Sequence, residues 1–223
     1  MFIICFSLIS LWACYNENIK EEKHVEVLPP EGVTIIMQPF DDLSPILVDS
    51  IYKRLININP SITVLEPIPL PVSAYYSLRN RYRADSLINF LWQRSTTKSV
   101  VIGLTSKDIS TKKGNIKDWG VIGLAYCPGH SCVVSTYRLS KNNIESQFFK
   151  IVIHELGHTQ GLPHCQKSST CLMNDYEGGN KTDELQDFCQ FCKAHLERKG
   201  LEFKITDHSS LQQSHPSCFS NTR

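Results

Sequence analysis

The sequence predicts an α/β (α+β) domain, and three observations carry that reading. Short β-branched runs recur along the chain, stretches with apolar residues at helical spacing lie between them, and the last third is helical rather than stranded. The first strand is expected at residues 33–38 (VTIIMQ), ended by Pro39. Asp41 or Ser44 then caps a helix whose apolar positions are Ile46, Leu47, Ile51, Leu55 and Ile58. A second strand follows at 61–65 (SITVL), and Pro67, Pro69 and Pro71 enforce an extended connection. Residues 79–94 read as a helix through Tyr82, Leu87, Ile88, Phe90 and Leu91. A third strand at 99–104 (SVVIGL) precedes a polar loop rich in Lys and Asp. Strands at 120–126 (GVIGLAY) and 132–139 (CVVSTYRL) flank Pro128 and Gly129, which predicts an antiparallel hairpin. Asn142 or Asn143 caps the next helix, running through Ile144, Phe148, Ile151, Val152 and Leu156 to a stop at Gly161 and Pro163. Thr182 caps the last helix, to about Lys199 and Gly200.

With 223 residues, 41% hydrophobic and 20% charged, the chain suits one globular domain with short appendages. Its 23 Lys and Arg nearly cancel its 22 Asp and Glu, which gives no electrostatic grip on nucleic acid. The opening run MFIICFSLISLWAC is too short to span a bilayer as a mature helix. It ends in Leu11-Trp12-Ala13-Cys14, which resembles a bacterial lipobox. On that reading residues 1–13 are a signal peptide, Cys14 is lipidated, and 14–31 form a polar linker. The alternative is a buried N-terminal strand or helix. The globular domain is expected at 32–202 and a mobile tail at 203–223.

The chemistry lies in His154-Glu155-Leu156-Gly157-His158-Thr159-Gln160-Gly161-Leu162-Pro163-His164. Four residues apart on a helix, His154 and His158 project from one face and reach one Zn2+. Glu155 lies about 100° round the helix, beside the metal without ligating it, where a base takes a proton from water. Gly161 turns the chain out of the helix, so that His164 returns as third ligand and a fourth position stays open. A bare pair of histidines around a glutamate is weak evidence; the added glycine and third histidine, at a helix end, make the signal specific.

This extended pattern is that of the metzincin metallopeptidases. Cys165 directly after the third histidine, then Cys171-Leu172-Met173 and Cys189-Gln190-Phe191-Cys192, resemble the archaemetzincins in particular. The resemblance implies a zincin domain with a mixed, twisted sheet, an active-site helix and a C-terminal helix. It implies peptide-bond hydrolysis, Met173 as the Met-turn beneath the catalytic zinc, and a second, structural zinc on Cys165, Cys171, Cys189 and Cys192. Two Zn2+ per chain are thus expected. For the four cysteines, two disulfides formed in an oxidising envelope are the rival reading, and His195 is a substitute ligand.

Cys127 and Cys132 flank a turn and are either a disulfide or two thiols. Cys218 has no evident partner. His130 reads as a solvated side chain, and Tyr176 as a packing tyrosine rather than an oxyanion donor. The expected protein is a monomeric zinc metallopeptidase acting on peptides or proteins. It would be exported to the cell envelope and touch the membrane only through a lipid on Cys14, or be cytoplasmic if the N-terminal signal is not used. A catalytically weak, zinc-containing peptide-binding module is the alternative.

Overall fold

The structure, a computed structural model, describes residues 32–175 and 179–201. Expectations for residues 1–31 (Cys14 included), for Tyr176, and for the tail with Cys218 lie outside those residues.

Two sheets organise the chain. The larger contains β1 (Thr34–Pro39), β2 (Ile62–Val64), β5 (Ser99–Thr105), β8 (Gly123–Ala125) and β9 (Ser131–Ser135), in the order β2-β1-β5-β9-β8. Its first three pairings are parallel, and β8 runs antiparallel to β9, so the sheet is mixed and β8 is its edge. The smaller sheet contains β3 (Tyr75–Tyr76), β4 (Arg81–Arg83), β6 (Ile109–Lys113) and β7 (Ile116–Val121), in the order β3-β4-β6-β7. Four α-helices accompany them: α1 (Pro45–Leu55), α2 (Ala84–Trp92), α3 (Ile144–Thr159) and α4 (Gln190–Glu197).

β5 is buried along its whole length, so its alternating side chains feed two cores. Val100, Ile102 and Leu104 join α1 and α3 on one face, with Ile35, Met37, Cys132 and Val134 from neighbouring strands. Val101 and Val133 face α2 and its Leu87, Ile88 and Leu91 on the other. Gly103 faces α2 as well, where a Cβ would overlap Leu91 Cδ1 and crowd Phe40. Both neighbours are fully buried and have nowhere to retreat. Gly103→Ala is therefore expected to cost about 1–3 kcal/mol. Urea titration checks this, and an unchanged midpoint would refute it.

Four elements differ from the sequence reading. The expected helix over 79–94 begins only at Ala84, because Arg81–Arg83 form β4, parallel to β6. The polar loop after β5 is instead the β6–β7 hairpin, turning at Gly114 with φ 56°. The expected strand over 120–126 divides at Ile122: Gly120 pairs with β6, while Gly123 pairs with β9. The last helix starts after Cys189 rather than at Thr182, and a bridge between Asp187 and Cys171 holds part of the intervening chain extended. In α1, Ile46 is 83% exposed and leaves the core face to Val48, Ile51 and Leu55. The β8–β9 hairpin, by contrast, is antiparallel as expected, although its second strand ends at Ser135 rather than at Leu139.

Arginine–carboxylate pairs stitch the smaller sheet together. Arg81 lies 3.1 Å from Asp108 and 3.4 Å from Asp118, and Arg83 lies 3.3 Å from Asp118. These side chains are largely buried, where each charge needs its partner.

Candidate active site

Helix α3 is held by its apolar face, with Phe148, Ile151, Val152 and Leu156 all buried and the helix packed on β8, β9 and α1. Its end is closed by a pair of backbone hydrogen bonds. Gly161 takes φ 92°, its N–H donates to the His158 carbonyl at 2.8 Å, and the Leu162 N–H donates to the Gly157 carbonyl at 3.1 Å. This paired bond pattern is a Schellman cap, and it turns the chain back across the end of the helix.

That turn sets the two helical imidazoles. His154 Nδ1 lies 2.6 Å from the Leu172 carbonyl oxygen, and His158 Nδ1 lies 2.7 Å from the Leu162 carbonyl oxygen. A carbonyl only accepts, so both Nδ1 atoms carry protons and donate, which leaves each neutral ring a lone pair on Nε2. The two Nε2 atoms lie 3.0 Å apart. Two lone pairs facing each other at that distance call for a cation between them. Burial lowers the pKa of His154 well below that of a free histidine, and also lowers that of His158. Both rings thus stay neutral and able to ligate below the pH at which an exposed imidazole protonates.

His164 arrives after the cap. Its ring centroid is 5.5 Å from that of His154 and 4.9 Å from that of His158, and the ligand atoms of all three lie within 4.8 Å of one another. It is the exposed member of the set, with Asp175 Oδ2 at 4.0 Å from its Nδ1. Three imidazole nitrogens with one open side fit a catalytic zinc.

Glu155, next on the helix, is buried beneath the edge strand. A Cβ on Gly123 would overlap its Oε1, so β8 passes directly over the carboxylate and only glycine leaves room. Burial pushes the Glu155 carboxyl up to about 8. Met173 is fully buried on the opposite side of the helix turn, where a Cβ on Gly157 would come within 2.6 Å of its Sδ. Sequence reasoning missed Gly123 and Gly157, though the paired glycines of 120–123 were a visible signal of close backbone approach.

A second cluster sits at the start of α4. Cys165 Sγ is 3.6 Å from Cys189 Sγ, Cys189 Sγ is 3.6 Å from Cys192 Sγ, and Cys171 Sγ is 3.8 Å from Cys192 Sγ. A disulfide requires about 2.05 Å. The edge of a tetrahedron with zinc–sulfur bonds of about 2.3 Å is about 3.8 Å. The four thiols are free and their spacing fits a closed four-sulfur metal site. Although burial opposes it, hydrogen bonds from the Cys192 backbone and the neighbouring thiols bring Cys189 down to about 7. His195, the substitute ligand, is engaged elsewhere: its Nε2 donates to the Gln160 carbonyl at 2.9 Å.

Cys127 and Cys132 are unbridged. Cys127 donates to the Leu162 carbonyl at 3.3 Å, whereas Cys132 is buried in the core. His130 is exposed, as expected. A cleft of about 850 Å³ is lined by the three histidines and Glu155 together with Gly123, Leu124 and Arg138.

Comparison with known proteins accords with this arrangement. The profile of peptidase family M54 matches residues 37–198. An archaemetzincin of Halobacterium salinarum is 36% identical over 137 residues, covering 56% of this chain and 76% of its own. The crystal structure of the Methanopyrus kandleri archaemetzincin superposes with a TM-score of 0.64 at 29% identity, covering 77% of this chain and 98% of that one. That of Archaeoglobus fulgidus, solved with malonate, gives 0.63 at 26% identity, covering 73% and 99%. A profile match over most of the chain, on top of a mixed sheet and three converging imidazoles, establishes that the protein belongs to peptidase family M54, the archaemetzincins, and is a zinc metallopeptidase.

Proposed function

We propose that this chain hydrolyses peptide bonds in the cleft beneath β8, with His154, His158 and His164 as the ligands of the catalytic zinc and Glu155 as the proton carrier. The observation that supports this most is the pair of Nε2 lone pairs held 3.0 Å apart by carbonyl-anchored rings. Zinc on such a donor set supplies a Lewis acid that polarises a carbonyl and makes water acidic near neutral pH. Glu155 accepts the proton of the attacking water on its carboxylate and returns it to the leaving amine. Burial beneath Gly123 suits it to both tasks, since it keeps the carboxyl more basic than an exposed glutamate. The dication alongside would draw that value down towards neutrality.

The substrate backbone lies extended along β8, whose outer edge pairs with no other strand among the described residues. Met173 packs under Gly157 and fixes the floor beneath the imidazoles. Cys165, Cys171, Cys189 and Cys192 hold a second zinc that clips α4 to the chain following His164. The protein works as a monomer, exported and anchored by a lipid on Cys14. Incorporation of a labelled fatty acid that survives Cys14→Ser would sink that anchor.

The test of the activity is a digest of a mixed peptide library read by mass spectrometry. New termini are expected with the purified protein, none after treatment with a chelator, and full recovery on adding zinc. Cleavage that persists in the chelator would rule the zinc mechanism out.

A further inference from the structure

Part of the cleft lining is cationic, and Arg138 is built into it in an unusual way. Its Nη2 lies 3.0 and 2.8 Å from the two carboxylate oxygens of Asp108. Asp108 is buried and already has Arg81 at 3.1 Å, so Arg138 is not required to neutralise it. Nε and both Nη1 hydrogens of Arg138 have no hydrogen-bond acceptor among the described residues. The guanidinium lies flat against Gly120, where any Cβ would overlap it, and lines the cleft with its side chain 34% exposed. Lys112 and Lys113 line the same cleft, Lys113 sitting 5.0 Å over the Trp119 ring. The carboxylates lining the cleft, among the described residues, are the buried Glu155 and Asp175, and Asp175 lies beside His164.

We infer that Arg138 is a specificity-determining residue that receives a carboxylate of the peptide substrate, with Gly120 giving it room and Asp108 holding it by one nitrogen. The inference rests on the peptidase reading and names the substrate class of the same cleft. A guanidinium pinned through one Nη2 hydrogen keeps the other, which with a neighbouring nitrogen makes the fork that grips a carboxylate with two bonds. Gly120 and Gly123 are three residues apart with the bend at Ile122 between them, so their backbones are separated by at most about 10 Å. An extended substrate rises about 3.3 Å per residue. Its carboxylate therefore lies within about four residues of the cleaved bond, on a Glu or Asp side chain or at the peptide's own C-terminus.

The test uses zinc-loaded Glu155→Gln protein, which binds without turnover, and a fluorescein-labelled decapeptide library in Glu/Gln pairs, each with a free or amidated C-terminus. Carboxylate-bearing peptides are expected to bind about ten- to a hundredfold more tightly than their neutral partners. The Glu/Gln difference in amidated peptides reports the side-chain source, and the free/amidated difference in Gln peptides reports the C-terminal source. Arg138→Met abolishes the preference without changing affinity for neutral peptides, and Arg138→Lys restores part of it. Gly120→Ala weakens carboxylate binding while keeping the charge. In wild-type turnover the same variants raise KM for the acidic peptides and leave kcat in place. Equal binding of acidic and neutral peptides, or a preference that survives Arg138→Met, overturns the inference and leaves the peptidase reading standing. If no peptide is bound or cut, both fall.

Discussion

Replacing Glu155 with glutamine is expected to lower kcat/KM for peptide hydrolysis by about 10²–10⁴-fold while zinc stays in place. That is a loss of about 3–5 kcal/mol of transition-state stabilisation. Glutamine fills the same volume under Gly123, so the helix, the cap and the imidazoles have no reason to move. What disappears is the one proton acceptor beside the histidines whose basicity is raised, to about 8, by burial. Amide nitrogen and oxygen neither take a proton from water nor return it to an amine at neutral pH. Steady-state kinetics paired with zinc analysis of the same sample separates loss of chemistry from loss of metal. Near-normal turnover in the variant would remove Glu155 from the mechanism, and loss of zinc would make it a structural residue.

The second large effect is expected at the cysteine cluster. Exchanging Cys192 for serine removes one of four sulfurs lying 3.6–3.8 Å from its neighbours. Apparent binding energies of structural zinc reach about 10–16 kcal/mol, comparable to the whole stability of a typical domain, about 5–15 kcal/mol. Helix α4 has eight residues and buries only Cys192 and Leu196. A helix that short does not persist without tertiary anchors. The variant is expected to release one zinc and to lose hydrogen-exchange protection throughout α4 and the chain around Cys171, with a fall in Tm. A chelator should reproduce the effect in the wild type and a reductant should not. Destabilisation by reductant alone, with no zinc released, would mean that the four cysteines form disulfides.

How much of this was legible in the sequence depends on how each segment is held. Helix α3 was readable because burial periodicity, metal-ligand spacing and a stop at Gly161 all agree, and its observed end follows that stop. β1 and β5 were readable because strands between two helical layers become β-branched runs. The β6–β7 hairpin was not, since ISTKK and IKDWGV are half-exposed and show no alternation; Gly114 and Asn115 were the signal available. β4 was hidden because its arginines are drawn inward by Asp108 and Asp118, partners distant in sequence. The late start of α4 has a similar cause: Cys189 stands at its N-cap, and its backbone N–H donates to Cys171 Sγ at 3.3 Å. At the site, the motif supplied the donors. The rigid setting of two of them comes from the Leu162 and Leu172 carbonyls, which a residue-type pattern does not display.

Metal content, measured by mass spectrometry on purified protein and on its His154→Ala, His158→Ala double variant, bears most directly on the central claim. Two zinc ions per chain in the wild type, falling to one in the variant, is the result expected of a catalytic imidazole site beside a separate sulfur site. A properly folded wild-type protein that carries no zinc, or a variant that keeps as much as the wild type, would contradict it.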